Sequence, residues 1–456
     1  IIDTPVSIAS ADFGDCADLN SDACRVKAII NFADESLENI SPVHGSNVAG
    51  IVLGVAPEVD IYSLNVFHNV NGGVSAFDSD ILESLDWVID QTVNQETPFV
   101  SVNMSLGSNS AVNPCFNSPY LSYFAQLYSV GVLPIVATGN NAHQTLINSP
   151  ACVPGAVAVG AVMDLPYGLS SSTCNQTGSV GAVACFTNRN GLIDLMASGV
   201  ATTAGGYTLS GTSMATPHVA GAVALVDQLF NQELNATSII NILKMWSITA
   251  EVGGRTYSSL NLRPDRFRDF SIGVSTDLVL SPTPERALSN TAQEHRFTIE
   301  PSGAFQVGRA YVILKASHPA PQDLEIFVTA PNGIRSGGAL GSSAHPDGSN
   351  INSIIGSDVH FNRFHELSGV SVSGDWLLEI IDPNNSGGHV IVASLFIAQS
   401  NEVSEPYTIC SVCESDSDCA VGNERCLSAP GEHEIRVCAP LCQSAEDCYS
   451  GSECTN

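Results

Sequence analysis

The sequence predicts an α/β fold, a parallel sheet flanked by helices, followed by an all-β sandwich and a small disulfide-rich tail. Three observations lead there. Residues 1 to about 262 alternate short apolar runs with helix-period segments, the pattern of strands joined by crossover helices. From about 286 to 400 the helical periods stop, and strand-like runs follow one another between turn residues. Eight of the 14 cysteines then crowd between Cys410 and Cys454, a density that reads as a disulfide framework.

In the first region, residues 99–104, 133–138 and 156–161 are almost uninterrupted apolar runs, as strands covered on both faces require. Between them, residues 80–90 place Ile81, Leu85, Val88 and Ile89 on one side of a helix, and a second helix is predicted near 121–130. Residues 263–285 have no period and contain Arg-Pro-Asp and Pro-Thr-Pro, so they read as a linker. Within 286–400 the runs 310–315, 323–328, 376–381 and 390–397 read as sandwich strands. The segment 405–456 repeats itself. Cys410, Cys413, Cys419 and Cys426 are followed by Cys438, Cys442, Cys448 and Cys454 at nearly the same spacing, which implies a duplicated module of about 28 residues. CxxC is also a zinc hook. The tail holds one histidine, His433, and its cysteines are evenly shared, which favours disulfides.

Hydrophobic residues make up 44% and charged residues 14%, a globular balance with apolar surface for a large core. A net charge of −30 repels phosphate, which excludes nucleic acid as a partner and disfavours anionic membrane surfaces. No apolar run approaches the roughly 18 residues of a spanning helix. Three lysines stand against 13 arginines; high acidity with scarce lysine suits a chain kept soluble in salt. The cysteine density points to an oxidising compartment, hence to a secreted or cell-surface protein. The opening Ile1-Ile2-Asp3-Thr4-Pro5 has none of the parts of a signal peptide, so the expectation is a processed precursor or a sequence that starts inside the protein. Among the other six cysteines, Cys16 with Cys24 and Cys174 with Cys185 would close short loops and leave Cys115 with Cys152, although six cysteines allow 15 pairings.

The strongest chemical signal is Gly211-Thr212-Ser213-Met214-Ala215-Thr216-Pro217-His218-Val219-Ala220-Gly221. Pro217 suits a helix's first turn. Val219, Val223, Val226 and Phe230 make an apolar stripe, so Ser213 is expected at the N-terminus of a buried helix, where free N–H groups and the helix dipole favour a developing oxyanion. A serine nucleophile needs a base. His44 opens a helix-like block in which Gly45, Ala49 and Gly50 allow close packing. The base needs a carboxylate to fix its tautomer, and Asp3 ends an apolar strand at the sheet edge where sites form. Taken one at a time, Ser213 also reads as a helix cap and His44 as a surface histidine.

Together these segments resemble the motif blocks of the subtilisin-like serine proteases, in the family order Asp, His, Ser. The resemblance implies a subtilisin-like fold for residues 1–262, catalytic residues Asp3, His44 and Ser213, protein or peptide substrates, and no cofactor for catalysis. Val136-Ala137-Thr138-Gly139-Asn140-Asn141 is similar to the block that carries the oxyanion-hole asparagine, which makes Asn140 that residue. Asn103-Met104-Ser105-Leu106-Gly107 is similar to the strand lining the P1 pocket, so Ser105, Leu106 and Gly107 are substrate-binding, with Gly73 on the opposing strand. Asn148 and Ala151 are the expected pocket floor and wall. His318, Asp323-Leu324, Pro331-Asn332-Gly333, Gly374-Asp375-Trp376 and Asp382 resemble the P domain of proprotein convertases.

The sequence also departs from the family pattern. Pro5 stands where the family has glycine, and Asn47 where it has a second histidine. The family's calcium loop in the His helix is absent, since residues 50–54 run on uninterrupted. The family places a helix and most of a strand before the Asp block, so the sequence looks clipped. Asp12, Asp15, Asp18 and Asp22 form an acidic loop that reads as a structural calcium candidate or, more plainly, as a solvated loop. The segment 142–151 has no carboxylate, so an uncharged P1 residue is expected rather than a basic one. A monomer is expected, with a surface or polymer partner for the β-region or the tail. A contrasting reading is a binding protein of the same fold in which catalysis is vestigial.

Overall fold

The computed structural model describes residues 1–262 apart from 18, 20, 71–72, 95–98, 109–110, 113, 165, 171–172 and 231–233. It further describes 274–275, 287–399 apart from 300–305, 341–349 and 357–363, and the strands 424–428 and 436–440. Residues 1–400 make one compact unit and 401–456 another.

The first unit is built on a nine-stranded sheet. From one edge its strands are Ile248–Val252, Arg255–Ser259, Leu195–Ser198, Val157–Val162, Leu133–Ala137, Ser101–Met104, Ile2–Asp3, Ile61–Asn65 and Val26–Asn31. All neighbours pair in parallel except the antiparallel edge strand Ile248–Val252. Alternation divides the strand side chains between two cores. Leu133, Ile135, Val157, Val159 and Leu195 join one, with helices α1 (Val43–Val55), α4 (Thr212–Leu229) and α5 (Ala236–Met245). Val136, Ala158, Val162 and Met196 join the other, with α2 (Asp78–Asn94) and α3 (Tyr120–Ser129). Both faces are covered, which is why the central strands Leu133–Ala137 and Val157–Val162 are apolar throughout.

Two four-stranded antiparallel sheets follow. One contains Val307–Ser317 between His389–Gln399 and Asn350–Gly356; the other contains Gln293–Ile299, Gly374–Ile381, Glu325–Thr329 and Arg335–Ala339. The strand Val307–Ser317 shows why both of its faces are apolar. Ala310, Val312, Leu314 and Ala316 fill the core between these two sheets. Tyr311 and Ile313 point the other way and belong to the core shared with α1, α4 and α5. Lys315 lies on that second face too, 4% exposed, with Nζ donating to Asp194 Oδ2 at 2.8 Å and to the Ala156 carbonyl at 3.1 Å. Lys244 Nζ reaches Asp194 Oδ1 at 2.7 Å. Two of the chain's three lysines therefore meet on one buried carboxylate.

The disulfides Cys16–Cys24, Cys115–Cys152 and Cys174–Cys185 form as the sequence suggests. In the second unit Glu424–Ser428 and Arg436–Pro440 make an antiparallel hairpin with Cys426 opposite Cys438. The other six tail cysteines and nearly all of 263–285 lie outside the described residues. Asp18 of the acidic loop also lies outside them, and Asp12 accepts the N–H of Gly205. Among the described residues no group of three or more His, Cys, Asp or Glu could hold a metal ion, and no helix is long and apolar enough to cross a membrane.

Candidate active site

Asp3 ends the strand Ile2–Asp3 and is completely buried. Its Oδ1 accepts hydrogen bonds from Thr4 N at 2.7 Å and Thr4 Oγ1 at 3.3 Å, and lies 2.7 Å from His44 Nδ1. Thr4 Oγ1 in turn accepts the N–H of Gly45 at 2.8 Å, which ties the strand end to α1 beside His44. Gly45 has no alternative, because a Cβ there would sit 2.0 Å from the Thr4 carbonyl oxygen. With Pro5 in place the Asp3–His44 contact still forms. Burial pulls the His44 imidazole down, but the charge and hydrogen bond of Asp3 push it up, and the net shift is upward. Asn47 Nδ2 donates to the carbonyls of Thr202, Ala204 and Tyr207, fastening the hairpin Thr202–Ala204/Tyr207–Leu209 to α1.

Ser213 is the second residue of α4. Its Oγ donates to the Ser105 carbonyl at 3.1 Å, and Ser105 Oγ donates back to the Ser213 carbonyl at 2.7 Å. Pro217 corrects a sequence expectation. It lies in the second turn of α4 rather than the first. A proline at i+4 cannot donate to the Ser213 carbonyl, and the Ser105 hydroxyl takes up the freed acceptor. Asn103 Nδ2 donates to Ser105 Oγ at 3.0 Å and holds it there. None of the described hydrogen bonds joins Ser213 to His44; the Ser213 hydroxyl is turned to the Ser105 carbonyl instead.

Gly211, the N-cap of α4, offers no side chain. Asn140 supplies the cap from a distant loop: its Oδ1 accepts Thr212 N at 2.9 Å and Thr212 Oγ1 at 3.0 Å. That fixes the amide with Nδ2 turned away, beside Gly211, where a Cβ would come within 3.2 Å of it. Leu106 is partly buried and Gly107 exposed. A Cβ on Gly107 would be 3.6 Å from Asn148 Cβ, and Ser108 N donates to the Ser149 carbonyl at 2.8 Å, so the strand end and the segment carrying Asn148 and Ala151 lie side by side. Ala151 is buried. Asn148 is also buried, with its amide bonded to Asn141 and Asn188. Gly73 starts the exposed strand of the hairpin Phe67–Val70/Gly73–Ala76, and no described hydrogen bond brings it to Leu106 or Gly107.

A profile of the subtilase family matches residues 1–264, more than half of the chain. The chain belongs to the subtilase family. It is similar to proteinase T of Parengyodontium album, 34% identical over 233 residues that make up 48% of this chain and 68% of that protein. It is also similar to an extracellular serine proteinase of Thermus sp. strain Rt41A, at 34% identity over 41% of this chain and 42% of that one. Subtilisin E of Bacillus subtilis is 31% identical over 40% of this chain and 45% of its own. The chain thus spans less than half the length of the latter two. Among solved structures, a cold-adapted subtilisin-like serine proteinase aligns with 57% of this chain and 86% of its own at 28% identity and a TM-score of 0.44. As a subtilase the chain is a serine-type endopeptidase with a parallel sheet flanked by helices.

The motif blocks lead to Asp3, His44, Asn140 and Ser213. They assign no role to Thr4, which bonds Asp3, to Thr212, which bonds Asn140, to Asn103, which bonds Ser105, or to Asn188, which bonds Asn141 and His143 beside Asn140. Thr4, Asn103 and Thr212 stand inside the motif blocks themselves. Asn188 lies 47 residues beyond its partner Asn141, in a polar loop with no distinguishing local pattern.

Proposed function

We propose that the chain is a secreted endopeptidase that works through an Asp3–His44–Ser213 triad and an acyl-enzyme. What supports the reading above all is the 2.7 Å contact between His44 Nδ1 and Asp3 Oδ1, two residues 41 positions apart, on the sheet edge that also carries Ser105. Asp3 accepts a hydrogen bond from Nδ1–H, which keeps the proton on that nitrogen and leaves the Nε2 lone pair free as a base. Ser213 Oγ attacks the scissile carbonyl carbon while His44 Nε2 takes its proton. His44 returns that proton to the leaving amine as the C–N bond breaks, and water then cleaves the ester by the same route in reverse. Asn140 Nδ2 and the Ser213 N–H, near the positive end of α4, receive the oxyanion. The intact Asp3–His44 pair disfavours the vestigial reading. A fluorophosphonate probe tests the two: the enzyme reading expects covalent labelling at Ser213, and a folded protein that does not label would refute it.

In this reading residues 1–262 are catalytic, 263–285 link, 286–400 form a sandwich like a convertase P domain, and 405–456 form a duplicated disulfide module that serves a surface or polymer partner. Secretion accounts for the disulfides and the cysteine-dense tail.

The upward shift of His44 has a consequence. The base must be neutral, so the acid limb of kcat/KM against pH is expected above the ordinary histidine value of about 6.5. Asp3→Asn removes the carboxylate that raises it and should move the limb down, with a large loss of rate. A limb at or below pH 6.5 in the parent would count against the assignment of the base.

Specificity follows from charge. Residues 142–151 contain no Asp or Glu, and Asp194 is committed to Lys244 and Lys315. A buried cationic P1 side chain would lack compensation, so cleavage after Leu, Phe or Met is expected, without a dibasic requirement. Peptide-library profiling checks this; dominant arginine at P1 would overturn it.

A further inference from the structure

Three asparagine side chains converge beneath the loop that carries Asn140. Asn188 is completely buried. Its Oδ1 accepts two backbone N–H groups, Asn141 at 2.9 Å and His143 at 3.0 Å. Backbone N–H groups only donate, so they fix which end of the amide is oxygen. Nδ2 then faces two side-chain carbonyls, Asn148 Oδ1 at 2.9 Å and Asn141 Oδ1 at 3.2 Å. Asn148 Nδ2 also donates to Asn141 Oδ1 at 3.1 Å. The main chain of Asn188 adds a hydrogen bond to the Gly139 carbonyl at 2.9 Å. The neighbours on either side continue the seam, with Ala142 N on the Phe186 carbonyl and Arg189 N on the His143 carbonyl.

The crowding is tight. A Cβ on Gly139 would lie 2.5 Å from both the Asn148 and the Asn188 amide nitrogens, and Gly139 itself has φ +100°. The loop therefore passes directly over the amide cluster, and Asn140 is the residue it turns towards α4.

We infer that Asn188 is a positioning residue: it locks the Asn140 loop and the Asn148 pocket floor into one rigid body. The inference rests on the proposed role of Asn140 and extends it. An oxyanion donor contributes only if it is already aimed when charge develops, because a donor that must reorganise loses the advantage of a dry, preset site. Each half of the Asn188 amide has a separate task. Oδ1 holds the loop, which acts on the transition state. Nδ2 makes its shorter bond to Asn148, which acts on the fit of the P1 side chain, and a longer one to the Asn141 side chain, while the loop backbone is held by Oδ1.

That division makes the test specific. Kinetics would be measured on an uncharged-P1 peptide anilide with the full chain. Asn140→Ala is expected to lower kcat by about 10²–10³-fold, the range known for loss of this donor in subtilisin. Asn188→Ala should lower kcat by about 10- to 100-fold, the scale of an ångström of misplacement. In the Asn140→Ala background the same change should cost almost nothing, since there is no donor left to aim. Asn188→Asp keeps the acceptor for Asn141 and His143 but removes the donors to Asn148 and Asn141. It should retain most of kcat and raise KM for bulky P1 residues. If the alanine variant does not fold, the aspartate variant decides alone: a fall in kcat with KM unchanged would overturn the inference. So would an Asn188→Ala loss of equal size with and without Asn140. An Asn140→Ala variant with full kcat would instead overturn the oxyanion reading on which the inference stands.

Discussion

Replacing Ser213 by alanine is expected to lower peptide hydrolysis by several orders of magnitude, the scale known for subtilisin itself, and to leave a small residual rate. The nucleophile and the base act as a unit, so adding His44→Ala to Ser213→Ala should cost little more. The alanine also loses the hydrogen bond from Oγ to the Ser105 carbonyl. The fold should survive, because Ser105 Oγ still donates to the main-chain carbonyl at position 213, which the substitution leaves in place. Casein hydrolysis and chromogenic-peptide kinetics would measure the loss. Near-parental turnover in a folded Ser213→Ala protein would eliminate Ser213 as the nucleophile.

Asp194→Asn should destabilise the protein by about 3–5 kcal/mol, the usual cost of leaving buried charge without its partner. Asp194 is 6% exposed and bonded to both Lys244 and Lys315. An asparagine would leave two ammonium groups facing each other in the interior. Lys315→Met should behave quite differently. Asp194 keeps Lys244, one of the two buried cations on it is removed, and the methionine suits a site beside Tyr311 and Ile313. A change within about 1 kcal/mol is expected there. Denaturant titrations of both variants decide the matter, and equal losses would refute this account of the cluster.

The same carboxylate has a pH signature. Burial alone would raise the Asp194 pKa, but Lys244 and Lys315 more than reverse that and hold it well below the usual carboxylate range. Its folded-state pKa is therefore depressed. The stability it contributes is fully present above the unfolded value of about 3.9 and is lost as pH falls below it. The Asp194→Asn variant should show a smaller drop between pH 5 and pH 3 than the parent.

Much of this molecule is legible along the chain. Continuous apolar runs such as 133–138 announce strands buried on both sides, and the structure divides their side chains between two cores by simple alternation. The motif blocks lead to Asp3, His44, Asn140 and Ser213 because each sits where a strand ends or a helix begins, and those boundaries leave local signs. Short-loop cysteines can be paired by proximity in sequence. The second apolar face of 310–315 is equally visible, but nothing local says what it faces. The structure gives Tyr311 and Ile313 to the core of the subtilase sheet.

What tertiary structure alone decides is the partner of each buried polar group. Lys315 reads as one cation at the end of an apolar strand until the fold sets it against Asp194, 121 residues earlier. Pro217 reads as a first-turn proline until the helix starts further upstream and Ser105, 108 residues away, takes the carbonyl that the proline cannot serve. Asn188 has no feature of its own, and its role exists only in the hydrogen bonds it makes to Asn141, His143 and Asn148. Periodicity and capping record interactions between residues a few positions apart. A buried hydrogen bond is satisfied by whatever the packed elements bring within 3 Å, and no local pattern in the chain encodes that distance.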